Sequence, residues 1–135
     1  MRFVDTSFWI AFHLRRDAHH EESKALWRTR GGSLVTSNLV VGEAWTFMRR
    51  RDGHRMATRL VDGLTTSPSL LIHRIDEATE DDAWRWLRRH DERDYSFVDA
   101  TSFALMRRLR LREALAFDGD FSAAGFLEVR PHPSG

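Results

Sequence analysis

Cysteine is absent from the chain, which excludes disulfides and thiolate-held metals and leaves a reducing compartment open to it. No apolar run is long enough to span a bilayer, and the opening "MRFVDTSFWI" has neither the length nor the small-residue cleavage pattern of a secretory signal. A cytoplasmic protein with no membrane partner is expected. No repeat, low-complexity tract or Pro/Gly-rich linker divides the 135 residues, so a single domain over 1–135 is the simplest organisation. Lysine is nearly missing: Lys24 stands alone among 21 cationic side chains, the rest being arginine. Arginine matches phosphate bidentately and suits nucleic acid, but a GC-rich genome produces the same bias, and a net charge of +1 identifies no partner.

What is present suffices for a folded core. The chain is 41% hydrophobic and 30% charged, with 9 Phe and 5 Trp, which separates it from disordered sequences. Short β-type runs recur at "RFVD" (2–5), "SLVT" (33–36), "LLIHRI" (70–75), "ALAFD" (114–118) and "FLEVRP" (126–131). Helical patterns fill the intervals. Asp17 is the expected cap of "AHHEESKALWRTR", Asn38 of "LVVGEAWTFMRRR" and Asp76 of the segment with Trp84 and Trp86. A further helix covers about 54–66, and Ser96 begins another. Buried strands alternating with helices predict an α/β fold, a parallel sheet with helices on both faces. Ligand chemistry in such sheets gathers at the strands' carboxyl ends. Asp5 and Asp118 each stand at such an end.

Asp99 lies inside the apolar stretch "SFVDATSFAL". Its helical neighbours Tyr95, Ser96, Ser102 and Phe103 cannot neutralise a carboxylate. Glu43, in "SNLVVGEAWTFMRR", likewise has Leu39, Val40, Thr46 and Phe47 within reach and no cation. The surface acids differ: Glu80, Asp81 and Asp82 sit in a hydrophilic first turn that the helix dipole favours. Each puzzling acid has a structural explanation. Ser96-x-x-Asp99 fits a capping box, Asp5 could cap the next helix, and Asp118 could open a turn with Gly119. Glu43 resists such an account, because it lies past the first turn of its helix.

Carboxylates that converge without Arg or Lys require a hard cation. Oxygen-only ligation selects Mg²⁺ or Mn²⁺ over zinc. Such an ion activates water and stabilises charge on a phosphoryl oxygen, so metal-assisted phosphodiester hydrolysis is the chemistry expected. Other phosphate and hydrolase chemistries lack their signatures: there is no G-x-x-x-x-G-K-[ST] loop and no G-x-S-x-G elbow. "FVDTS" lacks the second Asp of an aspartyl-phosphate phosphatase, and the lone Lys is too early for a receiver domain.

"FVDTSFW", "SNLVVGEAWTFMRR", "YSFVDATSFALM" and "AFDGDFSAAGF" resemble, in order and spacing, the motifs of PIN-domain ribonucleases, above all the VapC toxins of bacterial toxin–antitoxin pairs. The resemblance runs from about Phe3 to about Val129. It implies a PIN-like three-layer α/β/α domain with a central parallel sheet of about five strands. It also implies that Asp5, Glu43, Asp99 and Asp118 form the acidic cluster around Mg²⁺ or Mn²⁺. Ser7 matches a frequent family position. In "FDGDF" either Asp118 or Asp120 supplies the last carboxylate; Asp118 is favoured because it directly ends the strand, with Asp120 as outer-shell support. The implied activity is a Mg²⁺-dependent endoribonuclease toxin cutting one structured RNA, either the sarcin–ricin loop of 23S rRNA or a tRNA. The implied partners are a cognate VapB-type antitoxin, a second copy in a homodimer, and promoter DNA through the antitoxin complex only.

Rival readings are a catalytically silent PIN-like module binding RNA or protein, its acids merely capping helices, and a DNA nuclease using the same cluster. Basic runs at 48–55 and 107–112 could grip an RNA backbone or simply be solvated helix ends. Adjacent His19 and His20 point apart on a helix and read as surface residues rather than a metal pair. Trp84 and Trp86 read as core or dimer packing rather than base-stacking platforms.

Overall fold

The computed structural model describes residues 1–133. Strands β1 (Arg2–Val4), β2 (Leu34–Ser37), β3 (Leu70–His73), β4 (Glu113–Leu115) and β5 (Leu127–Glu128) form one parallel sheet in the order β3-β2-β1-β4-β5. Helices α1 (Thr6–His13), α2 (His20–Arg28), α3 (Asn38–Asp52), α4 (His54–Thr66), α5 (Glu77–Arg89), α6 (Phe97–Arg108) and α7 (Asp120–Ala123) occupy the connections. All of β2 is buried, as are Phe3 and Val4 of β1. Successive strand residues point to opposite faces, so burial of both sets means that helices cover the sheet on both sides, an α/β/α sandwich.

The strand order locates the site before any side chain is considered. From β1 the chain builds β2 and β3 outward on one side. It then returns to the other side of β1 for β4 and β5. The crossovers diverge between β1 and β4, and a crevice opens at their carboxyl ends. Asp5 follows β1 there, its amide donating to the Leu115 carbonyl at 3.0 Å.

Several local expectations shift. The cap of α3 is Ser37, whose hydroxyl accepts from the Val40 amide at 3.1 Å. Asn38 instead accepts from the Ile75 amide at 2.8 Å, tying the start of α3 to the chain after β3. Asp17 caps no helix: its carboxylate accepts from the His19 amide at 2.8 Å in a turn, and α2 begins at His20. The last strands are shorter than their β-type runs. Beyond Leu115 the backbone turns to side chains, the Phe117 amide donating to Ser7 Oγ at 3.0 Å and the Ala116 carbonyl accepting from Arg130 at 2.7 Å. The one-turn helix α7 was not expected at all. No helix among the described residues is long and apolar enough to cross a membrane.

Aromatic rings join the layers behind the crevice. Phe103 of α6 is fully buried and meets Phe121 of α7 at 4.9 Å, Trp86 of α5 at 5.1 Å and Phe126 at 5.6 Å. Trp86 thus belongs to the core, while Trp84 is 43% exposed and stacks on Phe97. Because one ring anchors three elements, Phe103→Ala is expected to cost about 3–5 kcal/mol in urea unfolding, well above the effect of an exposed-ring truncation at Trp84.

Candidate active site

Asp5 is buried and works as a helix cap. Its Oδ2 accepts from the Ser7 amide at 3.2 Å and from Ser7 Oγ at 2.7 Å. Ser7 Oγ in turn accepts from the Phe117 amide, so one hydroxyl links the first acid to the segment that carries Asp118. Asp99 is buried in the first turn of α6, where it completes the capping box with Ser96: its Oδ2 accepts from the Ser96 amide at 3.0 Å while Ser96 Oγ accepts from the Asp99 amide at 2.9 Å. The capping reading of Asp99 is therefore correct. It does not exclude a second role, since Asp99, Asp118 and Asp120 each present a carboxylate oxygen within 4.8 Å of the others.

Asp5 and Glu43 lie outside that tight trio but share a cleft with Asp118. This cleft, about 330 Å³, is lined by the polar side chains of Asp5, Thr6, Ser7, Asp17, His19, Glu43 and Asp118 and by the apolar Ile10, Phe47 and Phe117. Thr6 Oγ1 donates to Glu43 Oε1 at 2.6 Å, fixing α3 against α1 at the rim. Asp118 is common to the trio and to the cleft, whereas Asp99 and Asp120 do not line the cleft.

The electrostatics separate the acids. Burial raises the Asp5 carboxyl from its ordinary 3.8 to about 8, with the negative charges of Asp118 and Asp99 adding to the effect against the Ser7 hydrogen bonds. Burial also raises Asp99 to about 6, opposed by its bonds to Ser96 and assisted by Asp120 and Asp118. Asp118 is shifted upward for the same leading reason. Among the described residues none of these three is in an ion pair. Asp120 differs: Arg93 Nε and Nη2 both donate to its Oδ1, at 3.1 and 3.0 Å. Between the two acids, Gly119 sits in the left-handed region at φ +84°, a bend that folds Asp118 and Asp120 toward the same point.

Some supporting residues were not singled out from the sequence. Glu128 is buried on β5 and accepts from the amides of Gly119 at 3.3 Å and Ser122 at 2.9 Å, holding the loop that presents Asp118 and Asp120. Arg93 lies in a hydrophilic run indistinguishable from solvated surface. His19 lines the cleft and stacks on Phe117 at 4.5 Å with ring planes 1° apart, whereas His20 bonds the Ala11 carbonyl, so the pair is not a metal site. Ser7, two residues after Asp5, was the support named from the sequence, whereas Thr6 was not singled out.

The chain matches the PIN domain family over residues 2–127. It is 52% identical over 131 residues to the 23S rRNA-specific endonuclease VapC20 of Mycobacterium tuberculosis, a match covering 97% of this chain and 99% of that protein and found in two strains. The crystal structure of Mycobacterium tuberculosis VapC20, a sarcin–ricin loop cleaving toxin, superposes with a TM-score of 0.93 at 50% identity and covers 97% of this chain and all of that one.

The raised carboxyls make stability depend on pH. Asp5 and Asp99 bind protons more tightly in the folded chain than in the unfolded one. Their contribution is complete below an ordinary aspartate's 3.8 and is lost as pH climbs through about 6 for Asp99 and about 8 for Asp5. The metal-free protein should therefore melt at progressively lower temperature from about pH 5 to about pH 8. Asp5→Asn, which keeps the cap's acceptor oxygen, should flatten that decline and raise the Tm near pH 8 by roughly 5 °C in calorimetry.

Proposed function

The chain belongs to the PIN-domain family, and from that membership we propose that it is an endoribonuclease toxin hydrolysing one phosphodiester in the sarcin–ricin loop of 23S rRNA. The observation carrying the chemistry is the convergence of the buried Asp5 and Asp99 with the more exposed Asp118 beside the crevice between β1 and β4, none of the three in an ion pair among the described residues. The choice of RNA follows the 52% identical relative. PIN nucleases are metal-dependent, and the all-oxygen donor set fits Mg²⁺, with Mn²⁺ as a substitute. Asp5, Asp99, Asp118 and Glu43 are assigned to hold it. When bound, the ion supplies an activated water and a positive charge against the scissile phosphoryl oxygens.

The remaining tasks fall to the protein. Ser7 orients Asp5, Ser96 orients Asp99, and Thr6 orients Glu43. Asp120, neutralised by Arg93, serves as outer support beside Asp118 rather than as its replacement. Burial keeps bulk water from solvating Asp5 and Asp99, which would have to give up their protons to hold a divalent ion, so affinity for it should rise with pH from about 6 to about 8. We assign residues 1–135 to one cytoplasmic PIN-like domain that forms a homodimer, is inhibited by a cognate VapB-type antitoxin, and meets promoter DNA only through that complex.

Purified ribosomes and total tRNA, incubated with the protein in Mg²⁺ or in chelator, test the proposal. A single Mg²⁺-dependent cut in 23S rRNA is expected, with tRNA and a matched DNA hairpin left intact. Asp99→Asn should lower the cleavage rate at least about 100-fold while leaving the circular dichroism spectrum unchanged. Full activity in that variant, or equal cutting in chelator, would overturn the assignment.

A further inference from the structure

Helix α3 carries more than Glu43 toward the cleft. A second hollow, about 490 Å³, is lined by Glu43, Thr46, Phe47, Arg50 and Arg51. It shares Glu43 and Phe47 with the acidic cleft, so the two are continuous along the helix. Phe47 is 41% exposed, an unusual position for a large apolar ring, and the Arg51 guanidinium lies 5.9 Å from its centroid. Arg50 and Arg51 are exposed, and neither is in an ion pair among the described residues, although Arg2, Arg16, Arg85, Arg93, Arg108 and Arg130 all are. Helical spacing orders these groups. Phe47 stands about 6 Å beyond Glu43 along the axis, and Arg50 and Arg51 about 10–12 Å beyond it, on the same side of the helix.

A carboxylate, an aromatic face and paired guanidiniums at one-turn intervals match the parts of a single RNA strand. We propose that α3 is a nucleotide-reading rail. The scissile phosphate lies at the acidic end, the base next to it stacks on Phe47, and the following backbone phosphates are held by Arg50 and Arg51. This rests on the nuclease reading for the place of the scissile phosphate. Only an unstacked base offers a free face to Phe47, so the rail selects an unpaired nucleotide beside the cut rather than a continuous duplex. The charge pattern favours RNA over an acidic peptide, whose carboxylates would meet the acids with no compensating backbone contacts.

Binding is read apart from cutting by placing each substitution in an Asp99→Asn background and titrating, in Mg²⁺, a fluorescein-labelled RNA hairpin of the sarcin–ricin loop by anisotropy. Phe47→Ala should weaken the Kd about 10-fold or more, and Phe47→Trp should restore it. The double change Arg50→Ala with Arg51→Ala should flatten the slope of log K against log salt by about 1.4, the value for two lost single-strand phosphate contacts. A hairpin with an abasic nucleotide beside the cleavage site should lose affinity for the Phe47 protein and lose none further for Phe47→Ala. Unchanged Kd and salt slope in these variants, with the otherwise native enzyme still cutting rRNA, would overturn the rail and leave the nuclease standing. So would variants that keep RNA affinity but escape inhibition by the antitoxin, since the face would then belong to a protein partner. An otherwise native enzyme that binds RNA through Phe47 yet cuts nothing would uphold the rail and overturn the nuclease.

Discussion

Mutual repulsion among carboxylates held close together, two of them buried, is the constraint around which this molecule is arranged. Asp5, Asp99 and Asp118 come from β1, α6 and the turn after β4, and nothing local to any of them offsets its charge. The fold forces them together through hydrogen bonds that have a second structural purpose. Asp5 caps α1, Asp99 closes the capping box of α6, and the Asp120 amide binds Asp118. Each bond stabilises a carboxylate in place without cancelling its charge. The protein thus keeps the acids ordered and electrostatically unsatisfied, the state in which a divalent ion gains most from entering.

Parallel-sheet topology converts that local tension into a position. Because β1 is central and the strand order reverses across it, the divergence of crossovers leaves a crevice bordered by Asp5, Glu43 and Asp118. The two sides of the crevice differ in kind. One is lined by oxygen atoms, the other by Ile10, Phe47 and Phe117. A site with both surfaces can address a charged backbone and a flat base at once, as a nuclease that distinguishes among phosphodiesters requires.

The alternation of short buried strands with helices was legible in the sequence because β2 carries Leu34 and Val35 on opposite faces and α3 and α6 have almost no polar side near their starts. The acids were legible for the same reason: Asp99 and Glu43 contrast with what surrounds them. Cap positions were less so. Ser37 and Asn38 are both good caps, and only the distant Ile75 amide decides that Asn38 is engaged elsewhere. Asp17 failed as a cap because the helix starts later than its hydrophilic pattern does. Arg93 could not be found from local context, since it sits in a hydrophilic run and its partner lies 27 residues away; Glu128, a lone acid among Phe126, Leu127 and Val129, was passed over although its partners lie up to 9 residues away. The length of β4 was misjudged because Ala116 and Phe117 satisfy their backbone groups with Arg130 and Ser7 side chains rather than a strand.

The pairing of β1 with β4 joins the start of the chain to residues made much later. Asp5 is synthesised well before Asp118 and before the Glu128 brace that holds the Asp118 loop. A nascent polypeptide still short of β5 therefore contains half a crevice and no complete acid cluster. Closure of the acid cluster during synthesis thus waits on β4, β5 and the loop between them.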